Sequence, residues 1–117
     1  MAKKNIKVKV ENHTFELKNI QVAEFLSEET TAFAADVYID GKKVGYCSNN
    51  GHGEGNYPRI DNQYQDLYQE VEEGVKKNHF HDVTNYGHVC DWDYSMDFLI
   101  GMMVWDAHYD NKSTYKF

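Results

Sequence analysis

The chain has 117 residues, 41% hydrophobic and 15% aromatic, with a formal net charge of −7. That length fits one domain, residues 1–117, able to bury a core without metal or disulfide support, and two cysteines, Cys47 and Cys90, are too few for a disulfide framework. A single proline argues against a disordered linker, and no run nears the ~20 apolar residues of a membrane span.

Lys3 to Val10 alternates strictly, with Ile6, Val8 and Val10 on one side and the lysines on the other, the period of a strand with one wet face. Glu11-Asn12-His13 reads as a turn, and Thr14 to Leu17 resumes the alternation with Phe15 and Leu17 inward. Lys18-Asn19 breaks the pattern lightly, and Ile20 to Leu26 reads as a further strand. Ser27-Glu28-Glu29 is a polar connection. From Thr30 to Ile39, the side chains of Thr31, Phe33, Ala35, Val37 and Ile39 share a face. Asp40-Gly41 then supplies the positive φ angles of a two-residue hairpin, and Val44 to Ser48 is the return strand.

Gly51-His52-Gly53-Glu54-Gly55 cannot continue a strand, because glycine adds chain entropy and offers nothing to pack. The period then changes. Ile60, Tyr64, Leu67, Tyr68, Val71 and Val75 form a helical stripe, with Asp61 or Asn62 placed to cap its start and Lys76-Lys77 suited to its end. Asp66, Glu70, Glu72 and Glu73 line its other faces. Asn78 to Asp91 is expected as a loop. A second helix from about Asp93 to Tyr109 is apolar nearly all round, through Met96, Phe98, Leu99, Ile100, Met102, Met103, Val104, Trp105 and Ala107. It is either the most buried element or half buried and half offered to a partner, such as a second copy in a homodimer. Asp91, Asp93, Asp97, Asp106 and Asp110 ring it with charge. The fold class is therefore α+β: an antiparallel β-meander of about four to five strands, then two helices packed on the sheet.

The charge is unevenly placed. Residues 1–59 hold eight acids and eight bases, whereas residues 60–110 hold eleven acids and only Lys76 and Lys77. A field of one sign repels phosphates and attracts basic protein surfaces, so a protein partner is expected rather than direct nucleic-acid binding. With no apolar segment after Met1-Ala2-Lys3-Lys4, a cytoplasmic protein is expected.

Three patterns invite chemistry. The Gly51–Gly55 run could form an anion nest, but it lacks the Gly-Lys-Ser/Thr of a P-loop, its spacing is not GxGxxG, and Glu54 would repel an anion. A loop of demanding backbone geometry is the plainer reading. His79, His81, His88 and Cys90 are suitable zinc donors, in a spacing that matches no paired CxxC pattern. Cys90 has His88 and Asp91 nearby, but acidic surroundings disfavour a thiolate. No enzyme activity, no metal and no cofactor are expected. A ligand- or metal-binding module built on Gly51–Gly55 or on His79–Cys90 is the alternative to a protein-binding role.

The run Val22 to Gly55 contains LSEET, a strand ending in Tyr-Ile-Asp-Gly-Lys-Lys-Val-Gly, and then Asn-Gly-His-Gly. It resembles a segment of small phage and mobile-element proteins that include type II-A anti-CRISPR proteins, inhibitors of Cas9. Glu54 stands where that pattern has a second glycine. The resemblance implies a non-enzymatic inhibitor of a host defence protein, acting in the bacterial cytoplasm on a partner with a basic surface, a CRISPR nuclease among the candidates. Cas-type nucleases hold nucleic acid in positively charged channels, where carboxylates could stand in for phosphates. Asp66, Glu70, Glu72, Glu73, Asp91, Asp93 and Asp97 are the candidate carboxylates. Trp92, with Tyr57, Tyr64, Tyr68, Tyr86 and Tyr94, supplies candidate anchors.

Overall fold

A computed structural model describes residues 4–23, 32–51, 55–77, 79–83, 89–93 and 95–109, with the backbone alone over 79–83 and 89–93. Strands β1 (Lys4–Val10), β2 (His13–Val22), β3 (Phe33–Ile39), β4 (Lys42–Asn49) and β5 (Arg59–Ile60) pair in chain order, each antiparallel to the next. Helix α1 spans Gln65–Lys76 and helix α2 spans Met96–Tyr109. Strands β6 (His79–Val83) and β7 (Val89–Asp93) form a separate two-stranded ribbon between the helices. The α+β class and the meander followed by two packed helices match the sequence reading.

The turns follow from residue type. Asp40 and Gly41 sit at φ 52° and 82°, as the two-residue turn between Ile39 and Lys42 demands. The β1–β2 turn is equally short, with Val10 paired to His13 and Glu11 at φ 53°. What reads as a break at Lys18-Asn19 is a bulge inside a single strand. Asn19 adopts φ 57°, its N–H donates to Asn5 Oδ1 at 2.9 Å, and its side-chain amide donates to Asp36 Oδ2 at 2.8 Å. These bonds to the neighbouring strands hold the extra residue, so β2 resumes at Ile20 with its apolar side still inward.

Burial follows the alternation. Val8, Val10, Phe15, Leu17, Ile20, Phe33, Ala35, Val37, Ile39, Val44 and Cys47 line the inner face of the sheet. Val71 and Val75 of α1 and Met96, Leu99, Ile100, Met103, Val104 and Ala107 of α2 complete the core over it. The opposite sheet face has no helix over it among the described elements. β5 lies so close to β4 that a Cβ on Gly45 would collide with the Arg59 carbonyl oxygen, which is why a glycine stands there.

Four local expectations are corrected. Within the expected Asn78–Asp91 loop, the described residues 79–83 and 89–91 are strands of a β-ribbon, pairing His79 with Asp93, His81 with Asp91 and Asp82 with Cys90. Ile60 belongs to β5, although it still packs against the core. Neither Asp61 nor Asn62 caps α1 with a side chain; a 3₁₀ turn over Asn62–Tyr64 leads into the helix, with Tyr64 N–H on the Asp61 carbonyl at 2.9 Å. α2 starts later than Asp93, where Ser95 Oγ accepts the Phe98 N–H at 3.2 Å.

Candidate functional site

The outward side of α1 is acidic by helical spacing. Asp66, Glu70 and Glu73 lie at steps of four and three on one exposed stripe, while Val71 and Val75 are buried on the other side and fix the rotation. Glu72 lies off this stripe, half-buried, and pairs with Lys76 at 3.4 Å. Lys77 continues the stripe and reaches Glu11 of the β1–β2 turn at 3.3 Å. The acidic row is thus flanked by its own cations at the C-terminal end and is barest around Asp66.

Glu70 is held by a histidine from the sheet. His13 sits at the start of β2, with Nδ1 at 2.7 Å from Asp40 Oδ2 and Nε2 at 2.9 Å from Glu70 Oε2. Asp40 also accepts the Thr14 N–H at 2.8 Å on Oδ1. One imidazole therefore joins β2, the β3–β4 turn and α1. With both ring nitrogens facing carboxylates, the cation is favoured. The hydrogen bond to Asp40 is the largest influence raising the His13 pKa above its ordinary value, with Glu70 adding to it. The same bond, then that from Thr14, holds the Asp40 carboxyl below its usual range.

The glycine-rich run is anchored at its base. Asn49, only 6% exposed, accepts the Gly51 N–H on Oδ1 at 2.8 Å and donates to Asn56 Oδ1 at 3.0 Å. Asn56 in turn donates its backbone N–H to Asp97 Oδ1 at 2.7 Å and its side-chain amide to the Asp97 carbonyl at 3.2 Å. Gly51 sits at φ 85°. His52, Gly53 and Glu54 lie outside the described residues, and Gly55 is half-buried. Asp97, expected as part of a partner surface, is a half-buried anchor joining this run to the first turn of α2.

α2 divides its apolar surface. One side is core; on the other, Phe98 and Met102 are partly buried while Trp105 and Tyr109 are each 54% exposed, their ring centroids 4.4 Å apart. Asp106, expected in the charged ring, is 3% exposed and so contributes little to the surface. Of the aromatic anchors, Tyr57 is 72% exposed, whereas Tyr64 and Tyr68 pack on the core. Burial raises the Tyr68 phenol well above its usual pKa. It also pushes the Cys47 thiol up to about 12, leaving no reactive thiolate at neutral pH.

Trp92, Asp91, Asp93, His79, His81 and Cys90 fall on the ribbon strands, where only the backbone is described, and Tyr86, His88, Tyr94 and Asp110 lie outside the described residues. Among the described residues, no group of three or more His, Cys, Asp or Glu is placed to hold a metal ion. No described helix is long and apolar enough to cross a membrane. His13, Asn49 and Asn56 were not legible as structural anchors, because their partners are distant in the chain or sit across an irregular loop.

Comparison of the chain with protein-family models, curated proteins and solved structures finds no match.

Proposed function

We propose that the chain is a non-enzymatic protein-binding module that sets the acidic side of α1 against a basic protein surface, and that its partner is a host defence nuclease of the CRISPR type. The observation that supports this most is the exposed row of Asp66, Glu70 and Glu73 on a helix whose rotation is fixed by buried Val71 and Val75. Carboxylates on a rigid helix lose little freedom on docking, and an acidic field speeds encounter with a cationic surface. Asp91, Trp92 and Asp93 belong to the same reading by their place in the acidic half of the chain. The choice of partner rests on the resemblance of Val22 to Gly55 to anti-CRISPR proteins.

The test is inhibition of DNA cleavage by purified Cas9. The expected result is stoichiometric inhibition that weakens with salt and drops about tenfold or more in the Asp66→Lys/Glu70→Lys/Glu73→Lys variant; His13→Ala, which breaks the same Glu70 contact without removing a carboxylate, is the control and should inhibit as the wild type does. Inhibition that survives the triple change overturns the acidic-face mechanism. Wild-type protein that neither binds nor inhibits Cas9 overturns the choice of partner.

A further inference from the structure

The outer face of the sheet has the opposite character. Alternation puts Lys7 and Lys9 of β1, Glu16 and Lys18 of β2, Asp36 and Tyr38 of β3 and Tyr46 of β4 opposite the buried side chains. Lys43 pairs in register with Tyr38, and Arg59 pairs with Tyr46. Among the described residues this face therefore carries five cations, Lys7, Lys9, Lys18, Lys43 and Arg59, against two carboxylates, Glu16 and Asp36, a balance of +3 among them in a chain of −7. Both carboxylates have cations beside them: Glu16 is 3.9 Å from Lys18, and Asp36 is 3.5 Å from Lys43. Among the described residues, Lys7, Lys9 and Arg59 have no carboxylate at ion-pair distance.

Chain-wide charge speaks against phosphate binding, but screening confines a bound phosphate to charges within about 8–10 Å at physiological salt. The acidic row of α1 lies on the helical side of the sheet, away from this face. A phosphate strand laid on the outer face meets cations first.

The aromatic rings choose between polyanions. Lys18 Nζ stands 4.3 Å from the centre of the Tyr38 ring, and the Arg59 guanidinium stands 5.8 Å from that of Tyr46, which is 44% exposed. Each ring also has a cation directly across the strand pair, Tyr38 with Lys43 and Tyr46 with Arg59. Asp36 is the register partner of Tyr46 and Lys43 that of Tyr38, so the two tyrosines stand on a diagonal of the β3–β4 pair, across the register shift at Val37/Tyr38. The face thus repeats one ring and one cation along a diagonal. A nucleotide repeats one base and one phosphate; an acidic peptide repeats charge without a flat group to stack. Sheet aromatics that stack bases beside a cationic track are a common means of holding single strands.

We propose that the outer face of β1–β5 is a weak, sequence-tolerant binding site for single-stranded nucleic acid, with Tyr46 and Tyr38 as stacking rings and Lys7, Lys9, Lys18, Lys43 and Arg59 along the phosphates. This goes beyond the acidic-face reading, uses different residues and stands whether or not that reading holds.

The test is fluorescence anisotropy of a labelled oligothymidylate of about twelve nucleotides over roughly 20 to 200 mM salt. Binding is expected in the micromolar range or weaker, with log K falling against log salt at a slope of about −2, as about three neutralised phosphates on a single strand require. Tyr46→Ala, an exposed substitution whose fold is checked by circular dichroism, should weaken binding roughly 5- to 150-fold. Lys7→Glu/Lys9→Glu should weaken it and flatten the slope. Asp66→Asn/Glu73→Gln should not weaken it. No binding at the lowest salt, or unchanged affinity in Tyr46→Ala, overturns the proposal. A poly-glutamate peptide that displaces the probe as well as unlabelled oligothymidylate does reassigns the face to acidic proteins and overturns it equally.

Discussion

Replacing His13 with alanine tests whether its imidazole clamps α1 to the sheet. The substitution removes contacts at 2.7 Å to Asp40 and 2.9 Å to Glu70. All three side chains are partly open to water, at 22%, 40% and 64% exposure, so each pair is discounted to a surface value of about 0.2–1 kcal/mol. The loss should be about 1 kcal/mol in total, or roughly 4 °C in Tm for a domain of this size. Its pH dependence is the sharper part. The folded pKa of His13 is raised above 6.5, so the contribution is complete below 6.5 and fades as pH rises through the folded value. The Asp40 carboxyl is depressed below 3.8, so its share is present above 3.8 and fades as pH falls through its folded value. The gap in urea stability between wild type and His13→Ala should therefore be widest at about pH 5.5 and narrow by about pH 9. A gap of equal size at both values, or a wider one in alkali, refutes the clamp. Proton NMR titration of His13 should report the raised pKa directly, and Glu70→Gln should bring it down.

Gly45→Ala should cost about 2–3 kcal/mol, because its Cβ meets the rigid Arg59 backbone, and amide exchange should quicken at Arg59 and Ile60. Asp97→Ala should cost about 1–3 kcal/mol by leaving the Asn56 N–H without its acceptor; Asp97→Asn should recover part of that, as read by thermal denaturation. In a Cys90→Ser background, Cys47 should resist maleimide at neutral pH and react once urea unfolds the chain, because its thiol pKa of about 12 leaves almost no thiolate.

Local pattern accounts for most of the sheet. The inward residues from Val8 to Ile39 follow from a period of two, and the Asp40-Gly41 turn follows from the φ angles its residues tolerate. The helical stripes emerge in the same way, with Leu67, Val71 and Val75 for α1 and Met96, Leu99, Ile100 and Met103 for α2. Elements whose cause is not local escape such reading. β5 is two residues long and exists because Gly45 lets it approach. β2 looks broken because Asn19 solves its backbone problem with partners on β1 and β3. The ribbon from His79 to Asp93 carries histidines and acids that resemble loop chemistry, and nothing in its composition announces the pairing. For the candidate site, helical spacing was enough to bring Asp66, Glu70 and Glu73 together. It could not reveal that Glu70 meets His13, that Glu72 turns to Lys76, or that Asp97 and Asp106 are drawn inward, because those outcomes depend on which element lands beside them.

The anchored base of the glycine-rich run makes that segment a convenient graft point. Asn49 and Asn56 already meet at 3.0 Å, and Asp97 holds the second of them, so the chain ends there are brought together by bonds outside the run itself. Lengthening a closed loop costs little, about 0.6 kcal/mol per doubling. A peptide epitope or fluorophore tag spliced between Gly51 and Gly55 should leave the melting point nearly unchanged, because both ends of the insertion are held independently of what lies between them.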